Sequence, residues 1–170
     1  MLHILSIGLV LQLHNFAGAP PSVLHNTERE LSRLYDAIGV RVEWDHAAQP
    51  ADEGAALHVI LVAHEAGDLR RTRDSVMGAT LWTARGTPVV YLFYRRVEAE
   101  AARYAVSIAL VLACALAHEL GHVLMPERGH SGAGLMRACW GQDDFHRADQ
   151  GQLRFSADEA ARIRTSLFAP

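Results

Sequence analysis

The sequence predicts an α+β fold in a single domain that spans residues 1–170. Segments in which apolar residues alternate or run together, as in strands, are interspersed with segments in which they recur every three or four residues, as in helices. A chain of 170 residues is long enough to bury one hydrophobic core. Its composition, with 50% hydrophobic and 21% charged residues, is that of a globular protein and not of a disordered one.

Four segments are predicted to form strands, and a fifth is a short candidate strand. They contain the β-branched, aromatic and leucine residues that suit a pleated sheet, and Gly, Pro or polar turns separate them. The predicted strands are Ile7–His14, Val40–Trp44, Ala56–Ala63 and Val89–Tyr94, and the candidate is Met77–Thr83.

Two helices are predicted before residue 125. The first begins near Ser22, repeats apolar residues at helical spacing, and ends at Gly39, a residue typical of helix C′ positions. The second is expected to begin near Arg95 and to continue without interruption through the apolar run Ala105–Ala117. That run contains neither Gly nor Pro, as a buried helix requires.

The chain after residue 140 is predicted to contain a polar segment and a final helix. Gln142–Gln152 is rich in polar side chains and is interpreted as a polar segment without a predicted element. Ser156 and Glu159 then form a capping-box pattern, in which each side chain accepts a hydrogen bond from the backbone of the other. This pattern predicts a helix over Ala157–Leu167.

The long second helix ends in the motif HELGH, residues 118–122. Residues four apart on a helix face the same side, so His118 and His122 can bind one Zn²⁺ together. Glu119 lies beside them, where it can accept a proton from a water on the metal. The apolar run before the motif is the buried-helix context that this chemistry requires. The alternative is a helix that carries two histidines and a glutamate by chance.

A third ligand is predicted in the loop after this helix. Catalytic zinc usually has three protein ligands and keeps a fourth position for water. Pro126 should end the helix near Met125, and Gly129 can adopt the backbone conformation that turns the chain back. His130 would then be brought to the metal. The alternative is that His130 is an ordinary solvated loop histidine.

The segment 118–136, HELGHxxxxxxxHSxxGLM, resembles the metzincin clan of zinc metallopeptidases and in particular its matrixin form. In that clan the motif HExxHxxGxxH is followed by a Met-turn. Here His130 follows His122 by eight residues and not by six, and Arg128 occupies the usual ligand position. Small bacterial metzincin-like proteins with the longer spacing resemble the segment more than true matrixins do.

The resemblance implies both a site and an architecture. It implies a zinc peptidase, with endopeptidase activity favoured, in which His118, His122 and His130 hold one catalytic Zn²⁺. Glu119 would be the general base, and Met136 would be the Met-turn residue, an apolar floor beneath the zinc. The implied fold has a twisted, mostly parallel sheet, a backing helix, the active-site helix and a C-terminal helix. By position, Met77–Thr83 would be its antiparallel edge strand, along which an extended peptide or protein substrate pairs.

Two other functions remain open. One is a gluzincin-type HExxH peptidase, in which Glu159 on the last helix would be the third ligand. The other is a non-catalytic domain of the same fold that binds zinc or a protein partner, with His146 as a candidate fourth ligand. The presence of Glu119 argues against a non-catalytic site, because a structural metal needs no base. The other interpretation of His146 is an exposed loop histidine.

The remaining features restrict partners and compartment. A net charge of −3 offers no electrostatic basis for nucleic-acid binding. Leu2–Leu13 and Ala105–Ala117 are too short to span a membrane, so a soluble protein is expected. The sequence AGA at 17–19 resembles a signal-peptidase site, but Pro20 follows and no basic residue precedes, so Ile7–His14 is better interpreted as the first strand. The compartment is open, with export (extracellular or periplasmic) favoured over the cytoplasm. Cys114 and Cys139 could form a disulfide or remain two buried thiols, and the oligomeric state is open.

Overall fold

The computed structural model of the protein describes residues 8–45, 56–65, 76–126 and 129–168. Within these ranges the chain forms five strands and five helices. The strands are β1 (Gly8–Asn15), β2 (Arg41–Trp44), β3 (Leu57–Val62), β4 (Gly78–Trp82) and β5 (Pro88–Phe93). The helices are α1 (Pro21–Asp36), α2 (Tyr94–Tyr104), α3 (Ile108–Leu124), α4 (Gln142–Asp149) and α5 (Ala157–Phe168).

The described strands form one sheet in the order β2-β1-β3-β5-β4. Three neighbouring pairs are parallel, and β4 runs antiparallel to β5 at one edge, with Thr80 opposite Val90. The predicted α+β class, with a mostly parallel sheet and an antiparallel edge strand at Met77–Thr83, is confirmed. The predicted strand Ile7–His14 is found as β1, and Ile7 lies outside the described residues.

The core lies between one face of the sheet and α1 and α3. Alternate strand residues such as Leu11, Val59, Leu61, Val90 and Leu92 are fully or almost fully buried. Helix α3 is buried around most of its circumference, because it packs against α1, α2, β4 and β5. Each fully buried Leu or Val side chain contributes about 1.5–3 kcal/mol. The sheet and α1 therefore fix α3, whose last turn carries the HELGH motif.

The prediction of one continuous helix from Arg95 through the motif is wrong. The chain leaves helix α2 at Ala105, which adopts the left-handed conformation with φ 54°, and the N–H of Val106 closes the end on the carbonyl of Ala101. An L-residue in this conformation costs about 1–2 kcal/mol. The turn lets α2 keep one exposed face at the surface while α3 enters the core.

The polar segment Gln142–Gln152 was predicted without an element, but it contains α4. The carboxylate of Asp144 accepts a hydrogen bond from the N–H of Gly141 at 3.0 Å and forms an ion pair with Arg137 at 2.7 Å. A carboxylate in the first turn also suits the positive end of the helix dipole. Phe145 and Ala148 are buried on the inner side. Two apolar residues were too few to reveal this helix by periodicity.

The predicted helix boundaries at the two other key positions are confirmed. Helix α3 ends at Leu124, immediately before Met125 and Pro126. The capping box at α5 is present, because the N–H of Ser156 donates to Glu159 Oε2 at 2.7 Å and the N–H of Glu159 donates to Ser156 Oγ at 3.3 Å.

Arg128, which occupies the usual metzincin ligand position, lies outside the described residues. None of the helices in the described ranges has the length and apolar character needed to cross a membrane.

The two cysteines are both free thiols, one buried and one exposed, so no disulfide joins them. Burial raises the pKa of the Cys114 thiol to about 12, which keeps it protonated and unreactive at neutral pH.

We expect iodoacetamide to modify one thiol in the native protein and both thiols in denaturant, as counted by intact mass. The Cys139→Ser variant should show no native modification. Equal labelling of Cys114 in the native state would contradict the buried position.

Candidate metal centre

The last turns of α3 bring His118 and His122 together on one side of the helix. Their Nε2 atoms lie 3.1 Å apart, and their ring planes are inclined at 81°. Both side chains are partly withdrawn from solvent. The predicted juxtaposition of the two imidazoles is therefore present, and it follows directly from the four-residue spacing.

A hydrogen bond to the backbone fixes the orientation and the tautomer of His118. Its Nδ1 lies 2.7 Å from the carbonyl oxygen of Leu135, which can only accept, so the ring proton belongs on Nδ1. The Nε2 lone pair then points toward His122. Burial lowers the pKa of His118 to about 4, although the bond to Leu135 opposes this effect. His118 is thus a neutral imidazole at pH 7, the form that binds metals.

His130 joins these two residues from the loop that follows α3. Its ring centroid is 5.2 Å from that of His118 and 5.0 Å from that of His122. One potential ligand atom from each of the three residues lies within 4.8 Å of the others. Among the described residues this is the one group of three or more His, Cys, Asp or Glu side chains arranged in this way. His130 itself is exposed.

The loop that carries His130 is held against the core by its own backbone. The N–H of Ser131 donates to the carbonyl of Met136 at 2.7 Å, and the N–H of Leu135 donates to the carbonyl of Arg154 at 3.1 Å. Gly134 has a φ of +76°, and a Cβ there would lie 2.6 Å from the Arg154 oxygen. Only glycine fits this turn. Trp140 donates its indole N–H to Gly134 and stands edge-on to His118.

The three imidazoles suit a zinc ion. Three neutral nitrogen donors are a common ligand set of catalytic zinc, with Zn–N distances of 2.0–2.1 Å. Tetrahedral geometry then separates neighbouring ligand nitrogens by about 3.3 Å. The Nε2 atoms of His118 and His122, 3.1 Å apart, are close to that spacing. The ligand atom of His130, which is exposed, lies within 4.8 Å of those of the other two histidines.

Met136 is only 1% exposed. It packs directly on helix α3, since a Cβ built on Gly121 would lie 2.3 Å from the Met136 sulfur. The absence of a side chain at Gly121 leaves room for the buried Met136 side chain against the helix. The role of Met136 as a Met-turn residue and as an apolar floor beneath a zinc ion stays a prediction.

Glu119 is 8% exposed and meets the edge strand β4. The hydroxyl of Thr80 lies 3.0 Å from Glu119 Oε2 and 3.2 Å from its carbonyl oxygen, so it can donate to either. Burial raises the pKa of Glu119 to about 7, while the Thr80 bond lowers it. Gly78, on the same strand face, makes room for the glutamate, because a Cβ there would lie 2.8 Å from Glu119 Cγ.

A small cavity opens beside Glu119 and His118. Its walls come from the two residues before β4, from α3 and from the chain after Met136, and they include Met77, Ala115 and Trp140. The sequence did not reveal the contact of Thr80 and Gly78 with Glu119. Only their place in the candidate edge strand pointed to this region, and the pairing that joins β4 to the sheet cannot be deduced from composition.

The two alternative ligands lie elsewhere. Both carboxyl oxygens of Glu159 accept hydrogen bonds, one from the hydroxyl of Ser131 and one from the N–H of Ser156. Glu159 does not belong to the three-histidine group. His146 is exposed on α4, where its Nε2 is 2.9 Å from the side-chain amide of Gln150. The geometry thus favours His130 over Glu159 as the third candidate ligand.

Comparisons with known proteins reveal a shared fold. No protein-family model matches the sequence, and no curated protein matches it significantly. A zinc-dependent peptidase from Methanocorpusculum labreanum has a similar solved structure, with a TM-score of 0.59 and 15% sequence identity. The similarity covers 91% of this chain and 99% of that one. The GM1-bound form of the ECX AB5 holotoxin is more distant, with a TM-score of 0.47 and 13% identity over 94% of this chain and 80% of that chain.

At 15% identity, the similarity to the Methanocorpusculum labreanum peptidase shows that the two chains share a fold, and it extends over nearly the whole of both chains. The similarity to the holotoxin is too distant to support a conclusion.

The contact between Gly121 and Met136 predicts the effect of adding one methyl group. We expect Gly121→Ala to destabilise the fold, because overpacking costs about 1–3 kcal/mol and outweighs a gain of up to about 1 kcal/mol in helix propensity. Urea unfolding of the metal-free protein measures this change. In a Met136→Ala background the cost should disappear, because the sulfur is gone. Strictly additive effects of the two substitutions would contradict the close contact.

Proposed function

We propose that this protein is a zinc-dependent metallopeptidase of the metzincin type that hydrolyses peptide bonds. The observation that carries the proposal is the group of His118, His122 and His130, with the Nε2 of His118 oriented toward His122 and Glu119 at its side. The zinc-dependent peptidase that shares this fold supports the same chemistry. A three-histidine set with an adjacent carboxylate is the arrangement expected of catalytic zinc, which leaves one position for water.

The three histidines would hold a single zinc ion. His118 would bind through Nε2, because its Nδ1–H is committed to Leu135. His122 would bind through Nε2 as well, since this atom faces that of His118. When bound, the ion supplies an activated water and a Lewis acid that polarises the scissile carbonyl.

Glu119 would act as the general base and then as the general acid. Its carboxylate accepts a proton from the attacking water and delivers it to the leaving amine. Proximity to a cation favours the ionised form of a carboxyl group, so the pKa of Glu119 in the loaded enzyme would fall from the value that burial alone imposes. Thr80 donates to Oε2 and keeps the carboxylate in one orientation.

The substrate would be an extended segment of a peptide or protein. Strand β4 is the last strand at its side of the described sheet and lies next to Glu119. An extended chain can add to such an edge through main-chain hydrogen bonds. Pairing of this kind does not require a free chain terminus, so an internal segment of a polypeptide can bind as well as a terminal one. We therefore favour endopeptidase activity. Leu81 and Trp82 on β4 are exposed apolar side chains that could contact the substrate.

A non-catalytic zinc domain is the weaker alternative. A structural site has no use for a buried carboxyl group next to the metal, and such sites usually have four protein ligands. Glu119 is nonetheless kept in the site, almost fully buried and with a dedicated hydroxyl donor. The gluzincin alternative is weaker still, because Glu159 lies outside the three-histidine group and both of its oxygens already accept hydrogen bonds.

The first test is the zinc content of purified variants. We expect about one zinc per chain in the wild type, in keeping with a single catalytic site. His130→Ala should lose most of this zinc, because two imidazoles hold the ion far less tightly than three. His146→Ala is the matched control, an exposed histidine outside the group, and should keep wild-type zinc. Elemental analysis after dialysis measures all three. Unchanged zinc in His130→Ala would remove His130 from the proposed ligand set.

The second test separates the base from the metal. Glu119→Ala and Glu119→Gln should retain zinc yet lose peptide hydrolysis by about 10²-fold or more, the usual effect of removing a general base. Cleavage of a quenched fluorescent peptide library, with zinc content measured on the same samples, gives both quantities. Chelation should abolish wild-type activity, and added zinc should restore it. Full activity in Glu119→Gln would refute the mechanism.

A further inference from the structure

We propose that Glu159 is a positioning residue for His130 and acts through Ser131. This inference rests on the proposed zinc site. It explains how helix α5, the last helix of the described chain, would influence the position of His130, the proposed third ligand. Glu159 is 1% exposed and lies on the first turn of α5. Its carboxyl group joins that helix to the residue that immediately follows His130.

The two oxygens of Glu159 have different partners. Oε2 accepts the N–H of Ser156 at 2.7 Å, which completes the capping box and satisfies the start of α5. Oε1 accepts the hydroxyl of Ser131, which is 28 residues away in the sequence. A capping box needs only the first of these bonds. The second therefore has a separate consequence, which is to tie the loop to the helix.

Ser131 is fixed at two points by this arrangement. Its side chain is bound by Glu159, and its N–H donates to the carbonyl of Met136 at 2.7 Å. Together these bonds hold the peptide unit that joins His130 to Ser131. The His130 ring is exposed, so packing does little to place it, and its position is set mainly by the backbone that carries it. Breaking the bond to Glu159 would let His130 move away from His118 and His122.

The bond also explains why a polar group is buried here. A buried carboxyl group is costly unless its oxygens accept hydrogen bonds, and here each oxygen has a donor. Groups that orient metal ligands from outside the ligand set commonly change metal affinity by about 10–100-fold when removed. The same range is expected for the bond between Ser131 and Glu159.

The test compares zinc affinity in three variants of the full chain. Ser131→Ala removes the donor to Glu159, Ser131→Thr keeps a hydroxyl, and Ser156→Ala weakens only the capping box, because the backbone N–H of Ser156 remains. Competition with a chromophoric chelator gives the zinc dissociation constant. The absorption spectrum of the Co²⁺-loaded protein reports the ligand geometry, and the thermal midpoint of the metal-free protein reports stability.

We expect Ser131→Ala to weaken zinc binding about 10–100-fold and to alter the Co²⁺ spectrum, with Ser131→Thr close to the wild type. Ser156→Ala should lower the thermal midpoint and leave zinc affinity unchanged. Equal zinc affinity in Ser131→Ala and the wild type would overturn the inference while leaving the proposed function intact. Equal weakening in Ser131→Ala and Ser156→Ala would also overturn it, because general destabilisation would then explain both. A wild type that binds no zinc would overturn the inference and the proposed function together.

Discussion

The hydrogen bond between His118 Nδ1 and the carbonyl of Leu135 joins helix α3 to the loop that follows it. It sets the tautomer of His118, and Met136, the residue after Leu135, packs against Gly121 of the same helix. The bond depends in turn on a fixed position for α3, which the core provides by burying that helix on most sides. The site is thus an extension of the core packing and not a separate feature placed on the surface.

The residues of the candidate site differ in how much of their side chains is exposed to solvent. His118 and Glu119 are nearly buried, and burial moves both toward their neutral forms by lowering one pKa and raising the other. His130 stays exposed, at the open side where a substrate would approach. A cation held by the histidines would favour the ionised form of the neighbouring Glu119, because a nearby opposite charge stabilises a carboxylate. The difference in exposure follows from position, since His118 and Glu119 lie on the buried helix α3 and His130 lies on the loop after it.

Much of the fold and the grouping of the three histidines could be predicted from the sequence because the determinants are local. The four-residue spacing of His118 and His122, the stop at Pro126 and the capping box at Ser156 each depend on a few neighbouring residues. The turn at Ala105 was missed, since an alanine in the left-handed conformation has no compositional mark. Helix α4 was missed because two apolar side chains define its inner face. The contacts of Thr80 with Glu119 and of Glu159 with Ser131 depend on tertiary pairing, which periodicity does not report.

The close spacing of the three histidines in the sequence has a consequence for folding. They lie within thirteen residues, from 118 to 130, whereas the groups that orient them lie later in the chain, at Leu135 for His118 and at Glu159 for Ser131, the residue after His130. An unfolded chain therefore keeps the three histidines near one another but loses the contacts that orient them. A metal ion with affinity for both states stabilises the native protein only by the difference between the two affinities. Contacts that orient the histidines only in the native state would contribute to that difference, so residues outside the candidate ligand set would affect how strongly a metal stabilises the fold.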